Sequence, residues 1–286
     1  METIKANHPA MLEPFSGGSM PGTLYFTQWL LVGIFTFALP QSVVRCMGYK
    51  DTKSLRGAMI GGTIIIGAMM IGVTTLGVLS AGVLTGDLAS YGGSVDNIIP
   101  RTIVETLPPW LAGVAIVGPV AASISTVSSL LIASSSAIIK DLWLHYADDR
   151  SQQVSDAVVA RSSQIITLGV GVIVFVLAVV PPSVIWKINM FAFGGLETAF
   201  CWVLVGALFF KRANKVGAIA SMVGGTAVYC LCMALGFKLF GLHQIVIGIT
   251  VSLLCMVIGS WLGNRRANAA DAAADAEMRE VFFPEA

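Results

Sequence analysis

Between Ser123 and Ser136 an otherwise apolar run carries eight hydroxyl residues: Ser123, Ser125, Thr126, Ser128, Ser129, Ser134, Ser135 and Ser136. Ser125 and Thr126 are adjacent, and the Ala122 carbonyl lies three and four residues before them. On a helix these groups converge on one side, bringing two hydroxyls and a carbonyl within reach of one point. Three neutral oxygens suit a hard monovalent cation, which oxygen dipoles hold in place of water. The same residues have a second reading, because small hydroxyl side chains let helices pack closely and hydrogen-bond between them. From composition alone both readings stand.

Two other places break an apolar pattern. In Phe35-Thr-Phe-Ala-Leu-Pro40-Gln41, Pro40 lacks an N–H and clashes with the preceding turn. Carbonyls freed in this way at membrane depth are tolerated only where they are buried in protein or line a cavity. A plain proline kink is the simpler alternative. In Phe193-Gly-Gly-Leu-Glu197, the glutamate is the only acidic residue inside any of the long apolar stretches. A carboxylate there costs at least about 2.5 kcal/mol, so it should face the protein interior or a wet cavity, protonated or paired. Gly194 and Gly195 permit either close helix approach or local unwinding.

The elements that must position these groups follow from composition. Of 286 residues, 56% are hydrophobic and 12% charged, and mean hydropathy is +0.82. Soluble domains are about 25% charged. A water-soluble globule of this composition would lack the polar surface to cover itself, so the solvent is lipid. A spanning helix needs roughly 20 apolar residues. On that measure residues 22–264 form an all-α, polytopic domain of about seven transmembrane helices. They are expected near 22–46, 57–85, 109–139, 160–181, 184–210, 216–237 and 242–263. Between the second and third, Asp96 to Leu107 has helical spacing and ends at Pro108-Pro109, which predicts a short amphipathic helix or a mere connector.

Thirteen of the 17 Lys and Arg residues fall in the first, third and fifth connections and in the C-terminal stretch. By the positive-inside rule the N-terminus is then outside and the C-terminus cytoplasmic, in a plasma (inner) membrane. Residues 1–21 become an extracellular or periplasmic loop and 265–286 a polar cytoplasmic tail. A net charge of +1 excludes the basic field of a nucleic-acid binder. Cys46, Cys201, Cys230, Cys232 and Cys255 sit in or beside apolar runs, as packing cysteines do. His8, His145 and His243 lie outside the span interiors, and no metalloprotease, nucleophile-elbow or phosphate-loop motif is present. The chain does not read as an enzyme, and no cofactor is implied.

Four segments then become recognisable: Leu39-Pro-Gln-Ser-Val-Val-Arg-Cys-Met-Gly-Tyr-Lys-Asp51, Ala121-Ala-Ser-Ile-Ser-Thr-Val-Ser-Ser-Leu-Leu131, Ser134-Ser-Ser-Ala-Ile-Ile-Lys-Asp-Leu-Trp143 and Phe193-Gly-Gly-Leu-Glu197. Together they resemble the sodium/solute symporter family, over about Leu24 to Asn264. The resemblance implies secondary active transport, in which sodium drives uptake of a small organic solute, a pantothenate-like carboxylate. It also implies the second half of a leucine-transporter-like inverted-repeat fold, with two extra C-terminal helices and no counterpart of the first repeat. The chain thus reads as a C-terminal fragment whose partners are Na⁺ as coupling ion, the solute, the lipid bilayer and the missing N-terminal repeat.

In the family's terms the sodium site falls on Ala122, Ser125 and Thr126, its remaining oxygens coming from the first repeat. The solute site falls at the break in the first span, on Thr36, Pro40 and Gln41, with Gly194 and Glu197 facing them. Two departures bear on the solute. Pantothenate-carrying members have a histidine where this chain has Gln41. Proline-carrying members have aromatic residues where it has Thr36 and Val32, which disfavours proline. Two other outcomes remain open: a proton-coupled carrier using Glu197, and a solute-sensing membrane module. Only 22 residues follow Asn264, too few for a signalling domain.

Overall fold

The computed structural model describes residues 2–7, 9–18, 20–84, 93–148, 155–181 and 183–266. Among them there is no strand, and six helices are long and apolar enough to cross a membrane. A bent pair of shorter helices, Gly22–Ala38 and Pro40–Cys46, makes a seventh where the two arms are counted as one span. The all-α, polytopic expectation holds.

The described helices are α1 (Glu2–Asn7), α2 (Gly22–Gly33), α3 (Pro40–Met47), α4 (Thr52–Ser80), α5 (Ile98–Thr106), α6 (Pro109–Ser136), α7 (His145–Asp148), α8 (Asp156–Val179), α9 (Ile185–Phe209), α10 (Lys215–Ala234) and α11 (Gln244–Arg266). They fall into two compact units, one of residues 1–82 and 185–286 and one of residues 83–184.

In the first unit α9, α10 and α11 form a tight three-helix layer. Apolar side chains gain nothing by leaving lipid for protein, so such helices associate through close packing and hydrogen bonds. Both are present. A Cβ on Gly225 would lie 2.5 Å from the Ser252 Cβ, and one on Gly259 would lie 2.9 Å from the Gly217 Cα. The Ser221 and Ser252 hydroxyls are 2.8 Å apart, and Ser252 Oγ donates to the Thr198 carbonyl at 2.8 Å. Trp202 Nε1 donates to the Ile249 carbonyl at 2.9 Å. The oxygen of the nine-tenths-buried Ser260 side chain, pressed against Gly217, has no hydrogen-bond partner among the described residues.

Against this layer lies the bent pair. α2 ends at Gly33, Phe35–Ala38 form one 3₁₀ turn, and α3 starts at Pro40, with 49° between the two arms. Leu39 between them is extended (φ −66°, ψ 129°), so the helix is broken there rather than merely kinked. The residue before a proline is pushed out of the helical region, and Pro40 itself takes the first helical position, where an N–H is not needed. Leu31 and Ala38 join Met190, Cys201, Tyr229, Ile245 and Ile249 in one buried core. Thr27 anchors the N-terminal arm by accepting from the His243 backbone N–H at 2.9 Å. At the start of α4, Asp51 accepts from the Ser54 N–H at 2.6 Å, which holds its carboxyl below the usual carboxylate range.

The second unit contains α5 to α8, with α6 packed against α5 and α8. The amphipathic stretch after Asp96 is helical over Ile98–Thr106 and ends before Pro108. The regular α-helical rings of α6 end at Ser136. The helix runs on through a π-helical segment, Ala137–Leu144, to give a 36-residue apolar helix over Pro109–Leu144. Residues 85–92 of the preceding connection, and 267–286 of the expected tail, lie outside the described residues.

Candidate functional site

The hydroxyl-rich face of α6 carries Ala122, Ser125 and Thr126, all exposed within their unit. Thr126 Oγ1 donates to the Ala122 carbonyl at 3.1 Å, so two of the three expected oxygens are in contact. Ser125 stands next to them on the chain. The neighbouring hydroxyls also turn back on their own helix. Ser123 donates to the carbonyl of Pro119, Ser128 to that of Ile124, and Ser129 to that of Thr126. These bonds satisfy each hydroxyl proton and leave its oxygen lone pairs free to accept or to coordinate.

The other expected residues sit in the first unit. The Thr36 hydroxyl reaches back to the carbonyls of Leu31 and Val32, which the end of α2 leaves without helical partners. Pro40 and Gln41, both half-buried, open α3. α9 packs against the Phe35–Ala38 turn, which brings the Glu197 helix and the break together. Glu197 is fully buried, and neither carboxyl oxygen has a hydrogen-bond partner among the described residues. Gly194 is pressed against Tyr229: a Cβ there would overlap the phenol oxygen and lie 2.5 Å from Cζ. Its neighbour Gly195 faces open space. Only the first of the two glycines is therefore required for close approach.

Tyr229 was not singled out from sequence. It is fully buried, its hydroxyl donates to the Met190 carbonyl at 3.0 Å, and its ring stacks on Phe191 at 6.3 Å. With Gly217, Ser221 and Gly225 it forms a four-residue-spaced stripe along α10. That spacing is visible in the sequence, as is the Gly248, Ser252, Met256, Ser260 series on α11. Of the cysteines, Cys201 and Cys232 are buried, Cys230 and Cys255 half-buried and Cys46 exposed, and all five are free thiols.

Comparison with known proteins adds the family. The sodium:solute symporter family profile matches residues 4–225. The sodium/pantothenate symporter of Haemophilus influenzae is 36% identical over 259 residues, covering 90% of this chain and 52% of that protein. The sodium/pantothenate symporter of Escherichia coli is 34% identical over 264 residues, 92% of this chain and 53% of that protein. The osmoregulated proline transporter of Bacillus subtilis is 28% identical over 268 residues, 93% of this chain and 53% of that protein. The chain thus spans about half the length of the curated relatives it matches. No solved structure matches it significantly. With the profile covering most of the chain and pantothenate symporters above 30% identity, this multi-pass membrane protein belongs to the sodium:solute symporter family.

Proposed function

We propose that the chain is the second inverted repeat, with two further helices, of a secondary transporter that couples sodium entry to uptake of a pantothenate-like carboxylate. The match to two sodium/pantothenate symporters over about nine-tenths of the chain carries this reading. In it, Ala122, Ser125 and Thr126 supply the oxygens that hold Na⁺, and a first repeat of the same transporter completes the shell. The solute meets the broken span at Thr36, Pro40 and Gln41, with Gly194 and Glu197 on the opposing helix. The N-terminus is outside and the C-terminus cytoplasmic. One Na⁺ crossing about 100 mV releases about 2.3 kcal/mol. A ten-fold solute gradient costs about 1.4 kcal/mol, so one ion per solute suffices.

The test is uptake of labelled pantothenate by cells expressing this chain together with a complementary first repeat, with and without sodium. Sodium-dependent uptake that needs both pieces supports the proposal. Uptake indifferent to sodium, or sodium-driven uptake by reconstituted residues 1–286 alone, overturns it. The Glu197 carboxyl, buried without a hydrogen-bond partner, favours one variant in which a proton is the coupling ion. Uptake driven by a pH gradient in the absence of sodium, and lost in Glu197→Gln, would establish that variant instead.

A further inference from the structure

Away from the broken span, a cavity of about 580 Å³ opens between the C-terminal halves of α9 and α11 and the turn that joins α9 to α10. Its volume is within the range of about 300–1,000 Å³ typical of ligand sites. Trp202, Leu253, Val257 and Trp261 give it an apolar wall, and Arg212 and Arg265, both exposed, supply the only charges among the described residues that line it. Those two cations stand on separate elements and are tied together through Asn264. Its Nδ2 donates to the Arg212 carbonyl at 3.0 Å, and its Oδ1 accepts from Asn214 Nδ2 at 2.9 Å. Asn214 Nδ2 also donates to the Ser260 carbonyl at 2.8 Å, so the turn is fixed to the end of α11. The Arg265 guanidinium lies 3.7 Å above the Trp261 ring.

An apolar groove along membrane helices, ending at two arginines, matches one kind of molecule. It needs a hydrocarbon tail, an anionic head and a length that follows the helix axis. We propose that this groove is a binding site for an anionic phospholipid of the leaflet at the arginine end. The phosphate sits between Arg212 and Arg265, and an acyl chain runs along Leu253, Val257 and Trp202. The charge complementarity is direct, since none of the described lining residues is acidic. Arginine presents a planar fork of donors to a phosphate, and the Trp261 stack holds one such fork in place. A zwitterionic headgroup brings its own ammonium toward the same two cations and gains less.

The test is native mass spectrometry of the purified chain in detergent with equal amounts of dioleoyl-phosphatidylglycerol and dioleoyl-phosphatidylcholine. The wild-type chain should retain phosphatidylglycerol preferentially. At about 1 kcal/mol per arginine near the surface, two arginines correspond to a preference of about thirty-fold. Arg212→Gln with Arg265→Gln should abolish the preference, and Lys50→Gln with Lys53→Gln, the same charge change elsewhere, should preserve it. Leu253→Trp fills the groove and keeps both arginines, so it should also lose the lipid. Raising the salt on wild-type protein gives a reading that needs no variant and should weaken the preference. Equal retention of the two lipids by the wild-type chain overturns the proposal. So does retention by Leu253→Trp, or equal loss in the Lys50/Lys53 control.

Discussion

Gly194 and Gly195 are neighbours on α9, and the packing around them demands opposite responses to the same methyl group. A Cβ at residue 194 would collide with a ring that cannot step aside. Tyr229 is fully buried, stacked on Phe191 and hydrogen-bonded to Met190. Overpacking of this kind costs about 1–3 kcal/mol, and losing the tyrosine's hydrogen bond adds about 0.5–1.5 kcal/mol. Alanine's advantage over glycine inside a helix returns about 0.5–1 kcal/mol. Gly194→Ala should therefore destabilise by about 0.5–4 kcal/mol, with a central value of about 2 kcal/mol. Gly195→Ala, with nothing within 4 Å of its Cβ, should be neutral or stabilising by up to about 1 kcal/mol. Unfolding of the detergent-solubilised protein, followed by tryptophan fluorescence, reads both. Tyr229→Leu removes the obstructing ring, and in the double-mutant cycle with Gly194→Ala the coupling should exceed about 1 kcal/mol. Equal stabilities for the two alanine variants, or an additive cycle, would refute the packing argument.

Other expectations rest on separate observations. Ser252→Ala removes bonds to Ser221 and Thr198 and should cost about 0.6 to 1.7 kcal/mol in the same unfolding assay. Asn214 caps α10 by accepting from the Gly217 N–H at 2.9 Å, and its replacement by alanine should cost about 1–2 kcal/mol. Asn214→Asp keeps the cap but loses the donors to Ser260 and Asn264, so its loss should be intermediate. In a completed transporter, Ser125→Ala with Thr126→Ala should raise the sodium concentration for half-maximal uptake far more than it weakens solute binding at saturating sodium. Gln41→Ala should shift solute affinity with sodium dependence kept, as competition uptake would report.

Proline chemistry marked an irregularity at Pro40, which constrains both itself and Leu39 whatever packs around them, but a kink and a break read alike there until the family resemblance pointed to a break. Charge and hydropathy likewise marked the long apolar helices. The α9–α11 layer was harder to read, since Gly217, Ser221, Gly225 and Tyr229 carry neither charge nor a chemical signature. Their meaning lies in which helix faces them, and periodicity within one helix does not name its neighbour. The two glycines at 194 and 195 make the same point, being identical in sequence and opposite in surroundings. Glu197 was conspicuous as the only acid in a long apolar stretch, but its complete burial without a hydrogen-bond partner belongs to the fold.

The π-helical segment at Ala137–Leu144 has a consequence for how the chain tolerates changes in length. Its i→i+5 rings each enclose one residue more than the i→i+4 rings of α6. Deleting one residue there lets the backbone close to ordinary α-helical rings while residues beyond Leu144 keep their angular setting. Deleting one residue within Pro109–Ser136 turns the part of the helix between the deletion and the π-helical segment by about 100° around the axis. The hydroxyl ladder of that helix is thus intolerant of insertions and deletions along its length. The eight residues that follow it act as an expansion joint, where the loss of one residue can be absorbed without rotating the rest.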